Sequence, residues 1–97
     1  MRSLSYHPNV PSEVREILAY YLAISPILAD DFWIELTEAL EYAREFPIRH
    51  HFDPSGRRRG NLNRFPYHFL FRVFSTTVRV TAVRHNSRNP NYGSHRQ

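Results

Sequence analysis

Nine arginines (Arg57, Arg58, Arg59, Arg64, Arg72, Arg79, Arg84, Arg88 and Arg96) are interleaved with Phe65, Tyr67, His68, His85 and Tyr92 along one stretch of this sequence. Guanidinium forks hold phosphate or carboxylate bidentately, and aromatic rings stack on bases. The set therefore suits an anionic or acidic partner. The same residue types could serve a ribonuclease, with arginine stabilising charge on phosphorus and histidine or tyrosine moving protons. The plainest alternative is a solvated basic face that pairs in places with acids of the same chain. All thirteen basic residues are arginine, which suits fork recognition but also follows from a GC-rich genome.

Other chemistries find less support. There are six histidines, but His50 and His51 are adjacent and point apart in regular structure, no two are spaced i, i+4, and there is no cysteine. No metal site and no cofactor are expected. Three glycines in the whole chain leave no glycine-rich phosphate loop. Asp30, Asp31, Glu35, Glu38, Glu41 and Glu45 read as the solvated face of a helix rather than as a carboxylate dyad. Tyr20, Tyr21 and Trp33 read as packing residues.

The charge is divided along the chain. Residues 1–46 hold eight acids against three arginines, a net −5, whereas residues 47–97 hold ten arginines against Asp53 alone, a net +9. Such a split implies contact with phosphate or with an acidic protein. Ninety-seven residues, 41% of them apolar, suit one domain over 1–97, with 93–97 as a fraying tail. No run is long and apolar enough for a membrane span, and the first residues lack the apolar core of a secretory signal. A cytoplasmic protein is expected.

The elements that would position these residues follow from periodicity. Leu4 and Tyr6 alternate with polar neighbours as in a short strand, closed by Pro8 and Pro11. Ser12 is the expected N-cap of a first helix whose apolar stripe is Val14, Ile17, Leu18, Tyr21 and Leu22. Ser25-Pro26 starts a second helix, with Phe32, Leu36, Ala39, Ala43 and Phe46 as its buried stripe and Pro47 as its stop. So short a break implies an antiparallel helical hairpin. Arg57–Arg59 fall in a loop, and Leu62–Phe65 form a candidate strand. Tyr67, Phe69, Phe71 and Val73 form a strand with one apolar face. Val78, Val80 and Ala82 face inward on the next. The expected fold is α+β, in the order β-α-α-β-β-β, with the hairpin on one face of a small antiparallel sheet. The other face, carrying His68, Arg72 and Arg79, is left partly exposed.

Arg64-Phe65-Pro66-Tyr67, the alternating strand to Val73, Val78–His85 and Arg88-Asn89-Pro90-Asn91-Tyr92 together resemble the RelE/ParE superfamily of toxin–antitoxin toxins, and most closely its ParE branch. The resemblance runs from about Leu4 to Tyr92 and implies the same fold. It also implies a bacterial type II system in which a cognate antitoxin wraps the toxin as a hetero-oligomer, and growth arrest by inhibition of DNA gyrase without chemistry on a substrate. Its RelE branch implies cleavage of messenger RNA on the ribosome instead. There an arginine follows the strand tyrosine and binds the scissile phosphate. Here that residue is His68, which weakens the nuclease reading, although His68, His85 and Tyr92 remain its alternative catalytic set. A binding relic of the fold is the third reading. The target-binding surface is expected at Arg57, Arg58, Arg59, Arg64, Arg84, His85, Arg88 and Tyr92.

Overall fold

A computed structural model describes residues 1–97. The elements are β1 (Ser3–Tyr6), α1 (Val10–Ile24), α2 (Pro26–Glu45), β2 (Arg58–Asn61), β3 (Tyr67–Val73) and β4 (Thr77–His85), with one 3-10 turn at Pro47–Arg49. The two helices pack on a four-stranded sheet of order β1-β4-β3-β2. This is the expected α+β arrangement with one difference. Strands β2, β3 and β4 are antiparallel, but β1 joins β4 in parallel, so the sheet is mixed. After β1 the chain crosses over the sheet as the helical hairpin, and such a crossover lets the first strand lie parallel to a later one.

The hairpin forms as its sequence dictates. Ser25 is extended and its hydroxyl accepts from the Leu28 N–H at 3.4 Å, with Pro26 at the first helical position. The first helix begins earlier than Ser12: Asn9 is its N-cap, Pro11 sits in the first turn, and the Ser12 hydroxyl donates to the Asn9 carbonyl. Phe32, at the centre of the core, is fully buried and meets Phe65 and Tyr67 edge-on, with ring centroids 5.4 and 5.5 Å away. Ala29, Leu36, Leu40 and Ala43 complete the buried face of α2. Leu40 takes the buried place expected of Ala39, while Ala39 and Phe46 are half-buried.

The sheet departs from the sequence reading in three places. Strand β2 is Arg58–Asn61, so part of the expected arginine loop is an edge strand, and Leu62–Phe65 form no strand but lead into a bend over residues 63–66. Gly60 permits this strand: Phe69 lies against it so closely that a Cβ there would enter the ring. The register between β3 and β4 shifts after Leu70, because Leu70 pairs with Ala82 and Phe71 with Val80. The extra residue, Thr81, is a bulge, and it reverses the parity of the rest of β4. Val83 and His85 therefore face the hairpin with Val78 and Val80, while Ala82 turns to the other face with Arg84.

The second face is covered around His68, while Arg72 and Arg79 keep the partial exposure expected of them. Residues 88–97 fold back across it, and His68, Leu70, Ala82, Arg84 and Ser94 are all buried. Gly93 takes a positive φ of 69°, and a Cβ on it would approach the Ala82 Cβ to 2.9 Å, so the tail can lie this close only with glycine. Gly93–Gln97, expected to fray, are tied down by bonds from Arg57 to the Arg96 carbonyl and from Arg79 to the Gln97 main-chain oxygen.

Candidate functional site

The edge of β4 beyond Val80 has no neighbouring strand, since β1 ends at Tyr6. A side-chain ion pair takes the place of one. The buried Glu13 carboxylate accepts from the Val83 N–H at 3.1 Å, from the Tyr92 hydroxyl at 2.6 Å and from Arg96 at 2.6 Å. Arg96 in turn donates to the Thr81 carbonyl at 3.1 Å. Burial alone would lower the Arg96 pKa, but Glu13 and Tyr92 hold it above its ordinary value. This clasp closes the edge and fastens the tail to α1.

Beside the clasp lies a cleft of about 240 Å³, lined by Glu16, Tyr20, Tyr67, His85, Arg88 and Tyr92 among others. His85 is half-buried against the Tyr67 ring, with centroids 5.0 Å apart, and its Nδ1 accepts from the Ser87 N–H. Arg88 is exposed and lies over the Tyr92 ring at 3.9 Å. His85, Arg88 and Tyr92 are thus brought together around one opening.

His68 is not among them. It is paired in register with Arg84 on the opposite face of the sheet, whereas Tyr67 is paired with His85. Its side chain is buried in a second cleft of about 360 Å³, which it shares with Asp53, Arg59, Arg84 and Asn86. Arg84 Nε donates to His68 Nε2 at 2.8 Å, which places the ring proton on Nδ1, 2.8 Å from Asn86 Oδ1. Burial pushes the His68 pKa down, and the Arg59 and Arg84 charges add to that effect. The ring is therefore neutral with both nitrogens engaged. Strand parity separates His68 from His85, and Tyr92 donates its proton to Glu13. The alternative catalytic set does not converge on one phosphate.

Arg84, expected on the surface, is an interior tie. Besides His68 it donates to the carbonyls of Pro90 and Tyr92 at 2.8 and 2.7 Å, and it lies 3.6 Å from the buried Asp53 carboxylate. Burial would raise the Asp53 pKa; hydrogen bonds from Ser55 and Arg59 and the charge of Arg84 hold it below the usual carboxylate value. Arg58 donates to the His50 carbonyl and lies over Phe52, and Arg59 binds Asn61 and Asp53. Arg64 stands apart on the hairpin side, paired with Asp31 at 2.7 Å. The eight expected contact residues therefore form no single patch.

Two features escape sequence reasoning. The first is the pair of buried acids. Glu13 has the pattern of an ordinary first-turn acid, and only its burial shows otherwise, whereas Asp53 does carry a signal as the one acid among ten arginines. The second feature is an apolar groove of about 420 Å³ between the helices, lined by Tyr6, Val14, Leu18, Trp33, Leu36 and Leu40. Val14 and Leu18 are only half-buried, while Leu22 and Trp33 are exposed, so the apolar stripe of α1 is wider than the core it meets. No helix is long and apolar enough to cross a membrane.

No protein-family model matches the sequence. No curated protein matches it either. Among solved structures, it is similar to a chain of the chromosomal ParDE TA system from P. aeruginosa, with a TM-score of 0.75 at 21% identity. The match covers 88% of this chain and 96% of that one. The expected RelE/ParE-like fold is therefore the fold of this chain.

Proposed function

We propose that this chain is the toxin component of a type II toxin–antitoxin system of the ParE kind, acting on DNA gyrase in the cytoplasm without cleaving a substrate. The observation that carries this reading is the agreement of fold, over nearly the whole of both chains, with a member of a ParDE system. Two features of the molecule support it. The apolar groove between α1 and α2 has a lining suited to the apolar face of an amphipathic helix from an antitoxin. The separation of His68 from His85 and Tyr92 by the sheet counts against the ribonuclease alternative.

In this reading Arg88, His85 and Tyr92, around the cleft beside the clasp, contact the target, with Arg58 and Arg64 as outlying cations. Arg84, beside the Asp53 carboxylate, acts beneath them by holding the tail in place. The test is induction of the chain in a bacterial host with pulse labelling of DNA and protein synthesis. DNA synthesis is expected to stop first, with translated messages intact. Unimpaired growth at high expression, or an earlier stop of translation with cut messages, would refute the proposal.

A further inference from the structure

Three arginines lie in one row across the second face of the sheet. Arg79 on β4 is paired directly with Arg72 on β3. The register between β2 and β3 matches Arg58 with Phe71, and one further step places Arg57 opposite Arg72. Neighbouring strands are about 5 Å apart, so three guanidinium-bearing positions fall within about 10 Å. Like charges directly opposite one another on a sheet are destabilising. None of the three has an Asp or Glu partner: Asp53 serves Arg59 and Arg84, Glu13 serves Arg96, Asp31 serves Arg64 and Glu41 serves Arg44.

What the row holds instead is the tail. Arg57 donates to the Arg96 carbonyl at 2.9 Å, Arg79 to the Gln97 main-chain oxygen at 3.0 Å, and Arg72 to Gln97 Oε1 at 2.6 Å. Arg79 also reaches the Tyr6 carbonyl and the Ser5 hydroxyl. The Arg57 Nε is buried with no acceptor at all. Three oxygens from two adjacent residues are thus gathered by three guanidinium groups, one of which has a donor to spare. A carboxylate offers two oxygens, whereas a phosphate group offers three or more.

We propose that Arg57, Arg72 and Arg79 form a phosphate-binding site, for which residues 96 and 97 are an internal competitor that must move aside. The phosphate could belong to a nucleic-acid backbone or to a small free phosphate. Phe74, exposed and stacked beside Arg72 at 5.0 Å, adds a ring on which a base can stack. The proposal stands apart from the gyrase reading, since it requires no gyrase.

The test uses the full chain with two probes: a labelled twelve-nucleotide single-stranded DNA followed by anisotropy between 50 and 200 mM salt, and inorganic pyrophosphate followed by calorimetry. Arg72→Gln and Arg79→Gln are each expected to weaken binding about tenfold or more. Each should also lower the log–log salt slope for the oligonucleotide by about 0.7. Gln97→Ala, which removes one internal oxygen, is expected to tighten binding, and Arg49→Gln on the hairpin side to change nothing. Much tighter binding of the oligonucleotide than of pyrophosphate assigns a nucleic-acid backbone, and comparable binding assigns a small phosphate. Arg72→Gln should melt at or above the unsubstituted protein because it separates opposed charges. Should either glutamine variant fail to fold, Arg79→Lys keeps the charge, loses the fork, and should weaken binding with the slope unchanged. The proposal is overturned if neither probe binds, if the arginine variants bind as the unsubstituted protein does, or if a poly-glutamate twelve-mer competes equally well.

Discussion

Glu13→Ala tests whether one carboxylate really closes the sheet and holds the tail. The substitution leaves three groups without their acceptor: the Val83 N–H, the Tyr92 hydroxyl and the Arg96 guanidinium, whose side chain is only 13% exposed. Removing one partner of a buried ion pair costs about 3–5 kcal/mol, because the other charge stays buried. A domain of this size has a total stability on the order of 5–15 kcal/mol. The loss is then a large fraction of the whole, equivalent to a fall in Tm on the order of 15–30 °C. Glu13→Gln keeps an oxygen for the Val83 N–H and should cost about half as much. Urea unfolding followed by Trp33 fluorescence gives the free energy, and hydrogen exchange at the Val83 amide reports the edge locally. A loss below about 0.5 kcal/mol for Glu13→Ala would show that the clasp contributes nothing and that the tail is held by other contacts.

Three further outcomes can be checked on the same protein. Gly60→Ala should cost about 2 kcal/mol or more in urea unfolding, because its Cβ meets the Phe69 ring in a filled core; full stability would disprove that close approach. Phe32→Ala should cost about 3–5 kcal/mol, whereas its exposed neighbour Trp33→Ala should cost under about 1 kcal/mol, and equal losses would place Trp33 in the core rather than in an open groove. The His68 pKa is lowered on folding, so below pH 6.5 the unfolded chain binds more protons than the folded one. The stability due to this neutral ring is complete above pH 6.5 and declines as pH falls towards the folded-state pKa. His68→Gln should flatten that part of the stability profile, and an unchanged profile would exclude a buried neutral His68.

The fold is legible where burial has a period. The strand of alternating aromatics from Tyr67 to Val73 and the Ser25-Pro26 junction between two helical stripes appear in the structure as read. The Thr81 bulge is not legible, since one additional residue in a strand leaves no pattern yet turns Ala82 and Arg84 to the face opposite Val80. The parallel docking of β1 depends on a partner more than seventy residues away, which four residues of alternation cannot specify. The tail is hidden for a different reason. Its backbone is held by hydrogen bonds from Arg57, Arg79 and Arg84, and hydrophobic pattern says nothing about such anchoring. The candidate site shares that difficulty. Residue types point to Arg88, His85 and Tyr92, which do share one opening, but strand parity and the tail decide that His68 and Arg84 lie inside.

The central claim is that a ParE-like fold here acts on gyrase as a protein–protein inhibitor. A supercoiling assay with purified gyrase, relaxed plasmid and increasing amounts of the folded chain tests it most directly. Supercoiling should fall as the chain is added, and Arg88→Ala should raise the amount required while the chain remains folded. Complete supercoiling at saturating, folded protein would contradict the claim.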